Sequence, residues 1–211
     1  MTNSNPLQIT HAVPKGLASR LSESAGSFAS SFHEIRMDDI AKASGIPRAT
    51  LYYHFSGKEE VLTFLLRAML ADLKVSVATA AEVDGDTNAR LASVVHAQLN
   101  HLAANPGTGQ LLLSNLGKAG QLPVIAAGID DGFHAPVRRI LLEAGDVLVD
   151  LDVEVVTTAL FGAVTIVGFQ GLLSSGHIDV ERVARTIVRT FWSGITRGDG
   201  SQHGHAEGTG S

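Results

Sequence analysis

Ile40-Ala41-Lys42-Ala43-Ser44-Gly45-Ile46-Pro47-Arg48-Ala49-Thr50-Leu51-Tyr52-Tyr53-His54-Phe55-Ser56-Gly57-Lys58-Glu59-Glu60 decides how the rest of the chain is read. Asp38 to Ser44 has helical spacing, and Gly45 supplies the left-handed backbone of a sharp turn between two helices. Pro47 suits the opening of the next helix, Arg48 to His54. Ser56, with Glu59 three positions on, predicts a reciprocally capped start for another helix. Its apolar stripe runs through Val61, Leu62, Leu65, Leu66, Met69, Leu70 and Leu73, long enough to leave the short helices and enter a larger body.

Two short helices at such a turn form a helix-turn-helix, whose second helix offers polar or small side chains outward and locks its other face to its neighbours. Ile40, Ala41, Ile46, Leu51 and Phe55 are the apolar anchors here. That leaves Arg48, Ala49, Thr50, Tyr52, Tyr53 and His54 for a DNA groove, with Arg48 and Thr50 placed to read bases. The twenty-one residues from Ile40 to Glu60, about a tenth of the chain, resemble the DNA-binding signature of the TetR-family repressors, most specifically in Leu-Tyr-Tyr-His-Phe followed by Lys-Glu-Glu. The resemblance implies phosphate contacts from Tyr52 and His54, and a phosphate at Lys58, in the first turn of the following helix. Tyr53 is expected to pack on backbone sugars. Two positions depart from the family pattern. Arg36 stands where a capping Thr or Ser is usual and is read as a phosphate contact instead, and Ser31 replaces a common glycine, with Phe28 one place out of phase.

Upstream, Leu17, Leu21, Phe28, Phe32 and Ile35 predict one amphipathic first helix. Downstream, helices are expected through Leu91, Val94, Val95 and Leu99, from about Gly109 to Gly117, and from Gln121 to Ala144 with a bend at Pro136. The run from Val155 to Ile178 contains no charged residue and is long enough to raise a membrane span. Thr157, Thr158, Thr165 and Gln170 interrupt it and no aromatic or basic residue anchors its edges, so a soluble helix is expected. Val180 to Ile195 follows as an amphipathic helix. Ala159, Gly162, Ala163, Gly168, Val183, Ile187, Phe191 and Trp192 are the candidate two-fold interface, the alternative being that these helices fill the core of one subunit.

The expected fold is therefore all-α, an N-terminal three-helix helix-turn-helix head joined to a larger helical ligand-binding and dimerisation body. The expected divisions are an arm at 1–13, the head at 14–57, the body at 58–197 and a disordered, glycine-rich tail at 198–211 carrying His203 and His205. The 211 residues carry a net charge of −5, with 45% hydrophobic and 18% charged side chains, which disfavours nucleic-acid binding over the whole surface. Between Arg36 and Lys58 four basic residues face two acidic ones, so few phosphate contacts per subunit and a modest salt dependence are expected. There is no cysteine, hence no disulfide framework and no thiolate metal site. No cofactor and no metal are expected, and no secretory signal precedes Val13, which fits a cytoplasmic protein.

The resemblance further implies a homodimer bound to a double-stranded operator and released by a small-molecule inducer. His96, Asn100, Asn115, Phe133, His134, Phe161 and Gln170 are the candidate inducer contacts. Arg138 and Arg139 either receive an anion or form surface ion pairs. Two other functions fit parts of the sequence. One is a regulator whose body senses no small ligand. The other is a helical enzyme, for which no nucleophile-base spacing, metal-binding HExxH pair or phosphate-cradling loop is found.

Overall fold

The structure is a computed structural model that describes residues 12–29, 31–115, 123–150 and 152–196. The expected tail, and all of the arm but Ala12 and Val13, lie outside these residues. Ten α-helices are described: α1 Lys15–Ser24, α2 Met37–Ser44, α3 Arg48–His54, α4 Lys58–Ala81, α5 Thr87–Ala104, α6 Pro106–Asn115, α7 Pro123–Ile129, α8 Ala135–Ala144, α9 Val153–Ser175 and α10 Val180–Ile195. Among the described residues no strand forms. An isolated bridge pairs Leu148 with Thr196 and ties the α8–α9 connection to the end of α10.

The first helix ends earlier than its apolar spacing predicts. α1 stops at Ser24 and a 3-10 turn, Ala25–Ser27, follows. Three serines and Gly26 make this stretch a weak helix former, and the Ser24 hydroxyl donates to the Leu21 carbonyl at 3.0 Å. The change of pitch still buries Phe28 and Phe32, whose ring centroids lie 6.4 Å apart. Gly26 also meets the body. A Cβ on Gly107, in the first turn of α6, would lie 2.3 Å from the Gly26 nitrogen, so these two backbones touch where no side chain fits.

The turn between α2 and α3 forms as read, with Gly45 left-handed at φ 61°. α4 begins with Gly57 as its cap, and Glu60, rather than Glu59, accepts from the Ser56 backbone N–H and hydroxyl at 2.6 and 2.8 Å. α6 starts at Pro106, three residues before the expected Gly109, because proline fits the first helical position and the Asn105 carbonyl is free to accept Gly109 N–H at 2.9 Å. Gly117 and Gln121 lie outside the described residues. Before Pro136 the helix widens into a π turn at Asp130–His134, with Ala135 N–H donating five residues back to Asp130. That wider turn relieves the clash a proline ring makes with the preceding turn.

In the body α4 packs on α5, α6, α7 and α8, and α5 lies between α4, α9 and α10. α9 is long and apolar enough to cross a membrane, yet one side of it is core: Thr157, Leu160, Phe161, Val164, Thr165, Gly168 and Phe169 are buried. Its opposite side carries the exposed Val155, Ala159, Ile166 and Leu173, with the half-buried Gly162 between them. Three of the expected interface residues therefore point inward. Gly168 sits where a Cβ would touch Leu99 and Leu102 at 3.2 Å, and Val183 and Ile187 are buried on the inner face of α10. Ala159, Gly162 and Ala163 stay on or beside the outer stripe, and Phe191 and Trp192 are half-buried.

Candidate DNA-binding and ligand-sensing sites

The head is held together by two cations that reach backbone carbonyls. Arg20, on α1, donates through Nε to the Ser44 carbonyl at 3.2 Å and through Nη2 to that of Gly45, closing the C-terminal end of α2 where free carbonyls gather. Lys58, in the first turn of α4, donates to the carbonyls of Phe32, His33 and Ile35 at 3.1, 2.8 and 3.0 Å, and lies 5.6 Å from the Phe32 ring centroid. An ammonium has three protons, and three carbonyls take them. In this structure its charge fixes the turn that leads into α2 rather than standing free at the surface. No spacing in the sequence reveals either contact, because both cations reach more than twenty residues along the chain.

The outer face of α3 is formed by Arg48, Ala49, Tyr52 and Tyr53, all exposed, the tyrosines at 47% and 62%. Leu51 and Phe55 anchor the helix inward as read. Thr50 is half-buried at the flank, and His54 is buried with its ring edge-on to Tyr53 at 5.0 Å and its Nδ1 without a partner. His54 is therefore turned inward, since six positions on from Arg48 it lies about 120° around the helix from it. Arg36 is exposed at the start of α2. A guanidinium has no acceptor, so only one half of a capping box forms there, Asp39 accepting the Arg36 backbone N–H at 2.8 Å. Arg48 pairs with Asp38 at 2.8 Å and its guanidinium lies 5.3 Å from the Tyr52 ring centroid.

In the body, the structure gathers three of the seven candidate ligand residues. Phe133 and Phe161 have centroids 5.3 Å apart, and the His134 ring meets Phe161 edge-on at 5.5 Å. Burial pushes the His134 imidazole below its ordinary pKa, with nearby Asp130 opposing and Arg138 assisting. His96 lies elsewhere, in an open groove of about 560 Å³ between α5 and α10, 3.6 Å from Glu181. Asn115 is buried on α6 and donates to the Leu111 carbonyl at 2.8 Å, while Asn100 and Gln170 are exposed on separate helices. The seven residues thus form no single site. Arg138 binds Asp130 and Glu154, and Arg139 binds Glu82, so both arginines are already paired. Those bonds hold the Glu154 carboxyl below the usual carboxylate range.

The structure also reveals unpaired buried polar atoms, on Gln98, His101 and Thr157 outside the seven candidates and on Asn115 and His134 among them. Gln98, on α5, donates to Thr165 on α9 at 2.9 Å inside the core, and its Oε1 has no partner. His101 Nε2, Asn115 Oδ1, His134 Nε2 and Thr157 Oγ1 are likewise inaccessible and unpaired. Burial lowers the pKa of His101, with Asp72 opposing. An unpaired buried polar atom is unfavourable by roughly 1–3 kcal/mol, so each of these atoms gains from any partner that reaches it.

A short helix presenting polar side chains, braced by two others and joined by one long helix to an all-helical body, defines a helix-turn-helix regulator. Residues 28–63 match the family of bacterial regulatory proteins described as tetR. Over 55 residues the chain is 40% identical to the HTH-type transcriptional regulator EthR of Mycobacterium tuberculosis, a match that spans 26% of either chain, about a quarter of that relative's length. The solved TetR-family transcriptional regulator PfmR of Thermus thermophilus superposes with a TM-score of 0.70 at 25% identity, over 84% of this chain and 99% of that one. The fold is also that of the transcriptional regulator FadR of Bacillus subtilis, solved with stearoyl-CoA, at a TM-score of 0.71 and 18% identity over 86% and 98% of the two chains. Residues 28–63 thus carry the DNA-binding region of the TetR family of transcriptional regulators, and the chain shares the fold of a solved member of that family.

Proposed function

We propose that the chain is a cytoplasmic, homodimeric repressor that binds a palindromic DNA operator and leaves it when a small molecule enters the body. The observation that carries this reading is the outer face of α3, where Arg48, Ala49, Tyr52 and Tyr53 stand exposed on a helix braced from behind. Arg48 supplies paired donors for a guanine edge, and the tyrosines supply hydroxyls for phosphates, with Arg36 and the flanking Thr50 at the margin. Residues 14–57 act as the head and 58–197 as the body.

A single head makes few phosphate contacts, so two are needed, and the outer stripe of α9 offers the means. Val155, Ala159, Gly162, Ile166 and Leu173 fall on one line with small residues at its middle, which lets a second copy approach closely about a two-fold axis. In water such a line is a liability unless covered. The unpaired atoms of Gln98, His101, Asn115 and Thr157 support a body that accepts a polar or amphipathic guest. The head meets the body through α4 and through the Gly26–Gly107 contact, so a shift of α6 against α5 changes the head's position. For release, the guest must bind the DNA-incompetent arrangement more tightly than the competent one.

The test begins with DNA selected by the purified chain from random duplexes. Enrichment of a two-fold-symmetric sequence, bound by a dimer that Ile166→Glu converts to a monomer, is expected; no enrichment, or full binding by that monomer, contradicts the reading. Compounds are then screened for release of the selected duplex, starting with long-chain acyl-CoA thioesters because FadR of Bacillus subtilis was solved with one.

A further inference from the structure

Two carboxylates stand in the first turn of α2 and make different contacts. Asp39 closes the turn by accepting the Arg36 backbone N–H. Asp38 instead reaches across to α3 and accepts from Arg48 Nη1 at 2.8 Å. The bond uses one of the guanidinium's five N–H groups and leaves its Nε and Nη2 edge available for two parallel bonds to a guanine. With the Tyr52 ring 5.3 Å from the guanidinium carbon, the side chain is guided from two directions. Arg48 is the sole arginine on the recognition helix.

Asp38 also changes the sign of the field around it. The start of a helix ordinarily favours a phosphate, through its free N–H groups and dipole. A carboxylate at the second position of α2, exposed beside the DNA-facing surface, opposes that attraction. Binding to duplex of arbitrary sequence is almost wholly electrostatic and counts cations against phosphates, whereas binding to a chosen sequence adds base contacts. An acid that subtracts from the first and organises the second raises the ratio between them.

We propose that Asp38 is a specificity-determining residue, which presents Arg48 to the base edges while repelling the phosphate backbone. This rests on the DNA-binding reading above. As an exposed ion pair it contributes little to folding, so its removal is expected to leave the melting curve in place.

The experiment compares full-length wild type, Asp38→Asn, Arg48→Ala and the double variant on two duplexes of equal length, the one enriched by selection and a scrambled control, across a series of salt concentrations. Asp38→Asn is expected to tighten binding to the scrambled duplex about fivefold, to steepen its salt dependence by about one phosphate equivalent, and to change binding to the enriched duplex less than twofold. In the Arg48→Ala background the same substitution is expected to tighten both duplexes equally. Equal changes on both duplexes in the wild-type background, or none on the scrambled one, overturn the proposal while leaving the DNA-binding reading intact. A wild-type chain that prefers no duplex overturns both.

Discussion

Head and body treat buried polar groups in opposite ways. Among the described residues of the head, His54 Nδ1 is the one buried side-chain atom without a partner, and the Arg20 and Lys58 cations are bound to named carbonyls. The body leaves unpaired atoms on Asn88, Gln98, His101, Asn115, His134 and Thr157. A reader of DNA gains from arriving already ordered, since less freedom is lost on binding. A body that must adopt two arrangements gains from an interior that no single arrangement satisfies fully. On the function proposed above, the contrast is that between an ordered reader and an adjustable support, and each half of it can be broken by substitution.

The largest effect is expected from the body's aromatic core. Phe133→Ala should lower stability by about 3–5 kcal/mol in urea unfolding, because Phe133 is fully buried against Phe161. A loss under about 1 kcal/mol would show that this region repacks freely. Where α4 meets the head, Lys58→Met strips three carbonyls of the head of their donor and should cost roughly 1.5–3 kcal/mol, seen as faster amide exchange around residues 31–36. Unchanged exchange with a shallower salt dependence of DNA binding would instead return Lys58 to the phosphate role that the motif suggests.

A smaller effect is expected in the body's polar interior. Replacing both partners in Gln98→Leu/Thr165→Val should change stability by no more than about 1 kcal/mol, since the pair and an unpaired oxygen leave together. If the interior serves a guest, the same variant should lose release by whichever compound frees the wild type. A large loss of stability with release intact would show that the pair is simply structural.

Acid gives the mildest and broadest test. Burial lowers the pKa of both His101 and His134, so the folded chain refuses protons that the unfolded chain accepts from about pH 6.5 downward. Stability from these groups is complete above that pH and is lost as pH falls toward their lowered values. The melting temperature of the wild type should therefore fall between about pH 7.5 and 5.5, and fall less in His101→Gln. Equal falls in the two proteins would remove His101 from the account.

The same contrast explains what could be read from sequence. The head's turn is written locally: Gly45 must adopt a left-handed backbone and Pro47 suits a helix start, so α2 and α3 appear at their true places. The end of α1 is written in Ser22, Ser24, Gly26 and Ser27, whose weak helix propensity an apolar period does not register, and the contact of Gly26 with Gly107, about eighty residues away, is beyond any local pattern. Lys58 fits a phosphate motif, but its carbonyl partners are set by the fold of a distant turn. In α9 the difficulty is of another kind. With no charge between Val155 and Ser175, inner and outer faces are written in the same apolar alphabet, so Gly168 and Ile166 could not be told apart. Only residue type marks the ligand candidates in the sequence, and type does not say which helix face a residue occupies, as the exposed Asn100 and Gln170 show.

The measurement closest to the central claim is the symmetry of the DNA that the purified chain selects, together with the number of chains bound to it. Two half-sites related by a two-fold axis, their centres about one helical turn or a multiple of it apart, held by two chains and lost in Arg48→Ala, are predicted. A single asymmetric site held by one chain, or unaltered capture by Arg48→Ala, would contradict it.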